Sequence, residues 1–252
     1  MSGPGTAAGP LPRRSLGLLF ALNAIGLLVV ASLLGLGIWQ VQRRTWKLDL
    51  IARVEARIHA EPGPAPGPPD WPAITAEADA YRHLRLTGVF AYDRTTLVQA
   101  VTAYGGGFWV LTPLHSEAGF TVLVNRGFVP SDRRAPAGWA QPPGPVTLTG
   151  LLRVTEPGGA FLRTNDPAGD RWYSRDVAAI ARARGLFDVA PYFVDADAGS
   201  DAGRLPVGGL TVVSFRNDHL VYALTWFVLA AMAAGALVYL DREALRDRRK
   251  GA

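Results

Sequence analysis

The sequence has no cysteine, two methionines and two lysines, Lys47 and Lys250. The missing thiol excludes disulfides, thiolate metal sites and cysteine nucleophiles. Histidine is scarce as well. His59, His83, His115 and His219 form no HxH or HxxxH pair, so a zinc site built from this chain alone is not expected. There is no phosphate loop, no dinucleotide fingerprint and no nucleophile elbow. Ser174 and Ser214 have no adjacent His and Asp. Because triads assemble in space, a membrane-anchored hydrolase using one of these serines stays open as the weakest reading.

What is abundant is arginine, with alanine, glycine and proline, the composition of a GC-rich bacterial genome. The net charge is +5 over 252 residues. The arginines are scattered, and the terminal clusters suit membrane flanks better than nucleic acid.

Two runs carry no charge. LGLLFALNAIGLLVVASLLGLGIW, residues 16–39, contains a single amide, Asn23; LVYALTWFVLAAMAAGALVYL, residues 220–240, has none. About 20 apolar residues cross a hydrocarbon core, so each predicts a transmembrane helix. The alternatives are a signal peptide for the first run and a buried core helix for the second. The first run is long for a signal and no small-x-small cleavage site follows it. Few soluble helices stay apolar on every face over the second length. Arg13 and Arg14 precede the first run, and Arg242, Arg246, Arg248, Arg249 and Lys250 follow the second. Both ends are therefore expected in the cytoplasm. Arg43, Arg44 and Lys47 argue the other way, but a long domain translocates largely regardless of flanking charge.

The expected organisation is a tail at 1–15, a span at 16–39, a periplasmic domain at 40–218, a span at 219–240 and a basic tail at 241–252. Trp46, Leu50 and Val54 predict a helical stretch over 43–60. EPGPAPGPPDWP, residues 61–72, reads as a stiff spacer. HLRLTGVF, TTLVQAV, FWVLTPL, FTVLVNRGFV, VTLTGLLRV, PYFVDAD and LTVVSF then predict short strands. SRDVAAIARARG, residues 174–185, predicts a helix capped by Ser174 and ended by Gly185. The fold class is thus an α+β membrane protein, with two transmembrane helices flanking a periplasmic, mostly antiparallel β domain that carries at least one helix. The glycines at 105–107 are expected in a loop between strands. In VNRGF, Asn125 and Arg126 are candidates to meet a ligand or partner; equally, Arg126 caps local carbonyls and Gly127 supplies a special backbone angle.

The outer end of the second run concentrates chemistry. At 3.6 residues per turn, His219, Tyr222, Ala223 and Trp226 share one side. The matching end of the first run carries Trp39, Gln40 and Arg43. An aromatic belt with a solvated histidine is one reading. A porphyrin site is the other. A helix N-terminus disfavours imidazolium and leaves a lone pair for iron. Aromatic surface suits a flat macrocycle, and Arg43, Arg44 and Arg216 are placed to hold its carboxylates.

Five segments in order, LGIWQVQRRTWKLDLI (36–51), FWVLTPL (108–114), VLVNRGFVP (122–130), FLRTNDPAGDRWYSRDVAAIA (161–181) and LTVVSFRNDHLVYALTWF (210–227), resemble the surfeit-locus-1 family of cytochrome c oxidase assembly factors, in its bacterial branch. The resemblance implies a non-enzymatic inner-membrane factor. Its partners would be oxidase subunit I, heme a synthase and membrane lipid, not nucleic acid. It further implies that His219 coordinates the iron of transiently held heme a. Trp226 and Tyr222 would then pack the ring, and Trp39 and Arg43 would close the site. A scaffold that stabilises assembly intermediates without any cofactor is the rival. Two positions depart from the family pattern: Phe128 stands where many relatives have Trp, and Asp218 where Asn often precedes the histidine. Asp218 would either orient the imidazole or weaken carboxylate binding.

Overall fold

The computed structural model describes residues 16–160, 162–199, 204–211 and 217–250. Along the chain the elements are α1 (Leu16–Ile58), β1 (Gly63–Pro64), α2 (Ala76–Asp79), β2 (His83–Phe90), β3 (Thr96–Thr102), β4 (Gly105–Ser116), β5 (Thr121–Pro130), β6 (Pro145–Val154), β7 (Gly159–Ala160), β8 (Arg163–Thr164), α3 (Val177–Arg184), β9 (Val189–Ala196) and α4 (His219–Lys250). They divide into two compact units. One comprises the chain up to residue 50 and from residue 215 onward; the other runs from 51 to 214.

The first unit is a helix pair. The expected span and the expected helical stretch after it are one continuous helix, α1, because no Gly or Pro interrupts residues 40–60. Residues 40–50 therefore belong to the helical unit rather than to the domain expected to start at 40. The basic tail expected at 241–252 likewise continues as helix to Lys250. Both helices are long and apolar enough to cross a membrane.

The pair is antiparallel. Less exposed positions on α1 recur at Asn23, Gly26, Val30, Leu33, Gly37 and Gln40, at spacings of three and four. That is the seam of a two-helix packing. Opposite them on α4 lie His219, Ala223, Phe227, Ala230, Leu237 and Asp241. Two glycines lie where side chains of α4 come close. A Cβ on Gly26 would stand 2.3 Å from Leu237, and one on Gly37 would stand 2.5 Å from the Phe227 ring. Small residues let two helices approach where lipid supplies no hydrophobic drive of its own.

The second unit is a barrel-like sheet. Its strand order is β1-β2-β6-β9-β5-β4-β3, and β2 also pairs with β4, which closes a ring of five strands. Closure occurs where Gly88–Phe90 meets Leu114–Ser116. A Cβ on Gly88 would sit 2.2 Å from the His115 carbonyl oxygen, so only glycine permits this approach. Most pairings are antiparallel, as the period-two runs imply; β1–β2 and β5–β9 are parallel. Alternation sends Leu84, Leu86, Val122, Val124, Tyr192 and Val194 into the barrel core. The outer edge of β3 is covered in part by Trp172, whose carbonyl accepts from Gln99 N at 2.8 Å.

Six of the seven expected strands are present; of LTVVSF, residues 212–215 lie outside the described residues. Three local expectations change. The Pro-rich stretch is not a free spacer. Gly63–Pro64 pairs with Leu84–Arg85, and the Pro66 carbonyl accepts from Tyr192 Oη at 2.8 Å and Trp71 Nε1 at 3.1 Å. Proline lacks a donor, but its carbonyl accepts like any other. Burial pushes the Tyr192 phenol up, so it stays a donor. The glycines at 105–107 open strand β4 rather than forming a loop, with Gly107 paired to Ala100 and Pro130.

The third change concerns α3. Its N-cap is Asp176, whose carboxylate accepts from Ala179 N at 3.0 Å; Gly185 ends it in the left-handed region, φ 61°. Ser174 instead accepts at its Oγ from Asn165 Nδ2 at 3.0 Å. Replacing Asp176 with Ala is expected to cost about 1 kcal/mol. Thermal denaturation reads this, with faster amide exchange confined to the first turn of α3. The helix is short, and its anchorage is Ile180 and Val177 against Phe193 and Trp172.

Candidate functional site

Each histidine can be followed to its partners. His59 lies on the exposed end of α1 beside Glu55. Both nitrogens of His83 face acceptors, the Ala60 carbonyl at 3.0 Å and Asp197 Oδ2 at 2.8 Å. Both nitrogens are thus engaged within the chain rather than turned toward a substrate. His115 Nδ1 lies 3.1 Å from Thr121 Oγ1, across two paired strands. His219 begins α4, and its Nδ1 lies 2.7 Å from Gln40 Oε1 of α1. It is half-buried.

A carbonyl oxygen can only accept. The bond to Gln40 therefore places the proton of a neutral imidazole on Nδ1 and leaves Nε2 with its lone pair. Among the described residues no cluster of three His, Cys, Asp or Glu side chains can hold a metal ion. A metal at His219 would have to bring most of its own ligands, as iron in a porphyrin does. Asn217 lies two residues before His219, and its Oδ1 is buried without a hydrogen-bond partner among the described residues. An orphan acceptor of this kind costs about 1–3 kcal/mol until a donor reaches it.

The other residues expected around His219 are distributed as follows. Ala223 is buried in the helix seam; Trp226 is half-buried and Tyr222 exposed. Phe227, not Trp226, packs on Gly37. Trp39 is exposed, and the Arg43 guanidinium lies over the Trp46 ring, 4.0 Å from its centroid. Arg44 is half-buried, one turn beyond Gln40. Arg216 and Ser214 lie outside the described residues. The residue that touches His219 is Gln40. Its signal was available: it is the first polar side chain after the apolar run and continues the three-four spacing of the seam.

A second polar pair joins the same helices. Asn23 Nδ2 donates to Asp241 Oδ1 at 2.8 Å. At 1.5 Å per residue, the two polar contacts are about 26 Å apart along α1 and about 33 Å apart along α4.

The second unit holds a buried ionic knot that composition and motif did not reveal. Asp195, 3% exposed, accepts from Asn125 at 2.8 Å, Arg153 at 2.9 Å, Arg175 at 3.2 Å and Thr211 at 3.0 Å. Arg175 also donates to Glu156 at 2.6 and 3.0 Å. Burial lowers the Arg175 pKa, but Glu156 and Asp195 outweigh it and the net shift is upward. Arg153 and Arg175 both lie over the Phe193 ring. These groups satisfy one another, so the knot holds β5, β6, β9 and the start of α3 together.

That settles the two readings of VNRGF at their local level. Asn125 belongs to the knot. Arg126 donates to the Ala140 carbonyl and lies over the Phe90 and Tyr92 rings, and Gly127 has φ 132°. Ser174 is buried against Asn165 rather than against a base. A surface depression of about 770 Å³ lies beside Arg163, Asp166, Arg171 and Tyr173. Its charges are paired within the chain, Arg171 with Asp166 at 2.6 Å and Arg163 with Gln99 at 2.9 Å.

Two helices long and apolar enough to cross a membrane flank a barrel-like β unit in the sequence, and a half-buried imidazole stands at the start of the second helix. The chain belongs to the SURF1 family, whose model matches residues 27–231. It is 40% identical to surfeit locus protein 1 of Mus musculus over 223 residues, covering 81% of this chain and 71% of the mouse protein. The Homo sapiens protein is 39% identical over 229 residues, 83% of this chain and 74% of its own length. A SURF1-like protein of Monosiga brevicollis is 34% identical over 246 residues, 92% of this chain and 90% of its own. The family is known for cytochrome c oxidase assembly and is not a recognised enzyme class.

Proposed function

We infer that this protein is a two-span cytochrome c oxidase assembly factor that holds heme a for insertion into oxidase subunit I, with His219 as the iron ligand. The observation that carries the reading is the bond from His219 Nδ1 to Gln40 Oε1, which frees Nε2 at a helix N-terminus. Iron in a porphyrin needs one such nitrogen from the protein. Tyr222 and Trp226 follow on the same helix, and their rings suit a macrocycle face; Trp39, Arg43 and Arg44 lie near Gln40 in the partner helix. A hydroxyl or N–H of the ligand would satisfy Asn217 Oδ1. A carrier requires modest, reversible binding.

The membrane reading rests on the helix pair. Its polar contacts are separated by distances that bracket a hydrocarbon core of about 30 Å. The antiparallel arrangement sends the start of α1 and the end of α4 to one side, where Arg242, Arg246, Arg248, Arg249 and Lys250 suit the cytoplasm. The β unit then lies in the periplasm of a bacterial inner membrane, where heme a synthase and subunit I are its partners.

The test is an absorption spectrum of the full-length protein purified from cells that make heme a. Wild type is expected to carry the heme spectrum and His219→Ala to lose it. Unchanged heme content in the variant would remove His219 from the site. No heme in wild type, with heme a synthase co-expressed, would favour a scaffold that binds only its protein clients.

A further inference from the structure

We propose that Gln40 is a positioning residue that fixes the tautomer of His219 and so controls whether Nε2 can bind iron. The proposal rests on the heme reading above and adds to it the group that governs ligand strength. A neutral imidazole has one N–H and one lone pair, and the partner of either nitrogen decides the state of the other. At 2.7 Å, Gln40 Oε1 accepts a hydrogen bond from Nδ1–H, and the lone pair falls on Nε2. The opposite orientation of the same amide, NH₂ toward Nδ1, would put the proton on Nε2 and close the coordination position. Gln40 is thus a two-way element: one orientation admits the metal and the other excludes it. An acceptor on the distal nitrogen also makes the imidazole a stronger donor to iron.

The packing explains why an α1 residue reaches an α4 ligand. Gly37 lies one turn before Gln40, and Phe227 lies two turns after His219. Phe227 occupies the space a side chain on Gly37 would need. The close approach at Gly37 brings the Gln40 amide within hydrogen-bond distance of the ring. Neither helix alone sets the tautomer, so iron affinity is tied to the pairing of α1 with α4.

The experiment uses the detergent-solubilised full chain, titrated with ferric heme b and followed at the Soret band, then by potentiometry. Three variants are compared with wild type: His219→Ala, Gln40→Leu and Gln40→Glu. His219→Ala is expected to abolish nitrogen-ligated binding. Gln40→Leu is expected to weaken it about 10- to 100-fold, the usual effect of removing a group that orients a metal ligand. Gln40→Glu can only accept, so it should retain binding and lower the reduction potential. A Glu charge lowers the potential by itself, so the decisive readout is rescue: an acceptor at position 40 (Glu) keeps binding that Leu loses, which a merely structural Gln40 would not show. If His219→Ala abolishes binding while both Gln40 variants keep wild-type affinity, Gln40 has no such role and the heme reading stands. If His219→Ala leaves the spectrum unchanged, the heme reading itself fails. Should Gln40→Leu not fold, Gln40→Met takes its place: weakened binding beside retained binding in Gln40→Glu supports the proposal, and wild-type affinity in Gln40→Met overturns it.

Discussion

Replacing Asp195 with Ala is expected to destabilise the protein by about 3–5 kcal/mol, the cost of removing one partner from a buried ion pair. The side chain is 3% exposed and gathers four donors, two of them guanidinium groups. Its loss leaves Arg153 and Arg175 facing an apolar ring, Phe193, with one carboxylate, Glu156, between them. It also strips Asn125 of the acceptor for its amide. Asp195→Asn keeps the shape and part of the bonding, so its cost should be smaller. Urea denaturation followed by tryptophan fluorescence measures both, since Trp172 is buried in the neighbouring core. A cost below about 1 kcal/mol for Asp195→Ala would mean that the arginines find water once released, as exposed ion pairs do.

Gly127→Val should be comparably severe, about 3–5 kcal/mol, placing it in the exceptional tail of single substitutions. Two causes add. The φ of 132° lies where side-chain-bearing residues are strained, and a Cβ there would stand 2.2 Å from the Val207 carbonyl oxygen and 2.6 Å from Gly208 N. These obstacles are backbone atoms, so no rotamer change relieves them. The bonds at risk are the reciprocal pair between Phe128 and Val207, each 2.9 Å. Gly119→Ala is the control. Its φ is 86° but the space is open, so it suffers strain without collision and should cost about 1 kcal/mol. Thermal denaturation compares the two, and limited proteolysis of residues 204–211 reports whether the Val207 bridge has opened. Equal costs at both glycines would show that the close approach contributes nothing.

Much of the architecture was legible because its signals are local. The strand HLRLTGVF alternates apolar and polar residues from His83 to Thr87, and its burial alternates with them. The errors were local too, but each came from a competing contact. Ser174 looked like a cap and lost to Asp176, because Asn165 draws the serine into the core. The prolines at 61–72 looked like a spacer, yet Pro66 offers a carbonyl to two aromatic donors, the buried Tyr192 and the half-buried Trp71. At the candidate site the histidine was visible from sequence, as an ionisable residue beside an apolar run. Gln40 was seen only as a neighbour of Trp39 and Arg43; its place on the three-four seam was readable, but that it meets His219 depends on the register of the two helices.

By itself the sequence determined two uncharged runs long enough to cross a membrane, a β-rich unit between them, and one histidine at the start of the second run. Hydropathy and periodicity are properties of neighbouring residues and need no partner. Only the tertiary structure decided which nitrogen of His219 is engaged and that Asp195 binds two arginines. Gln40 and His219 stand 179 positions apart, Asn125 and Asp195 stand 70 apart, and their meeting depends on helix register and ring closure, which Gly37 and Gly88 permit.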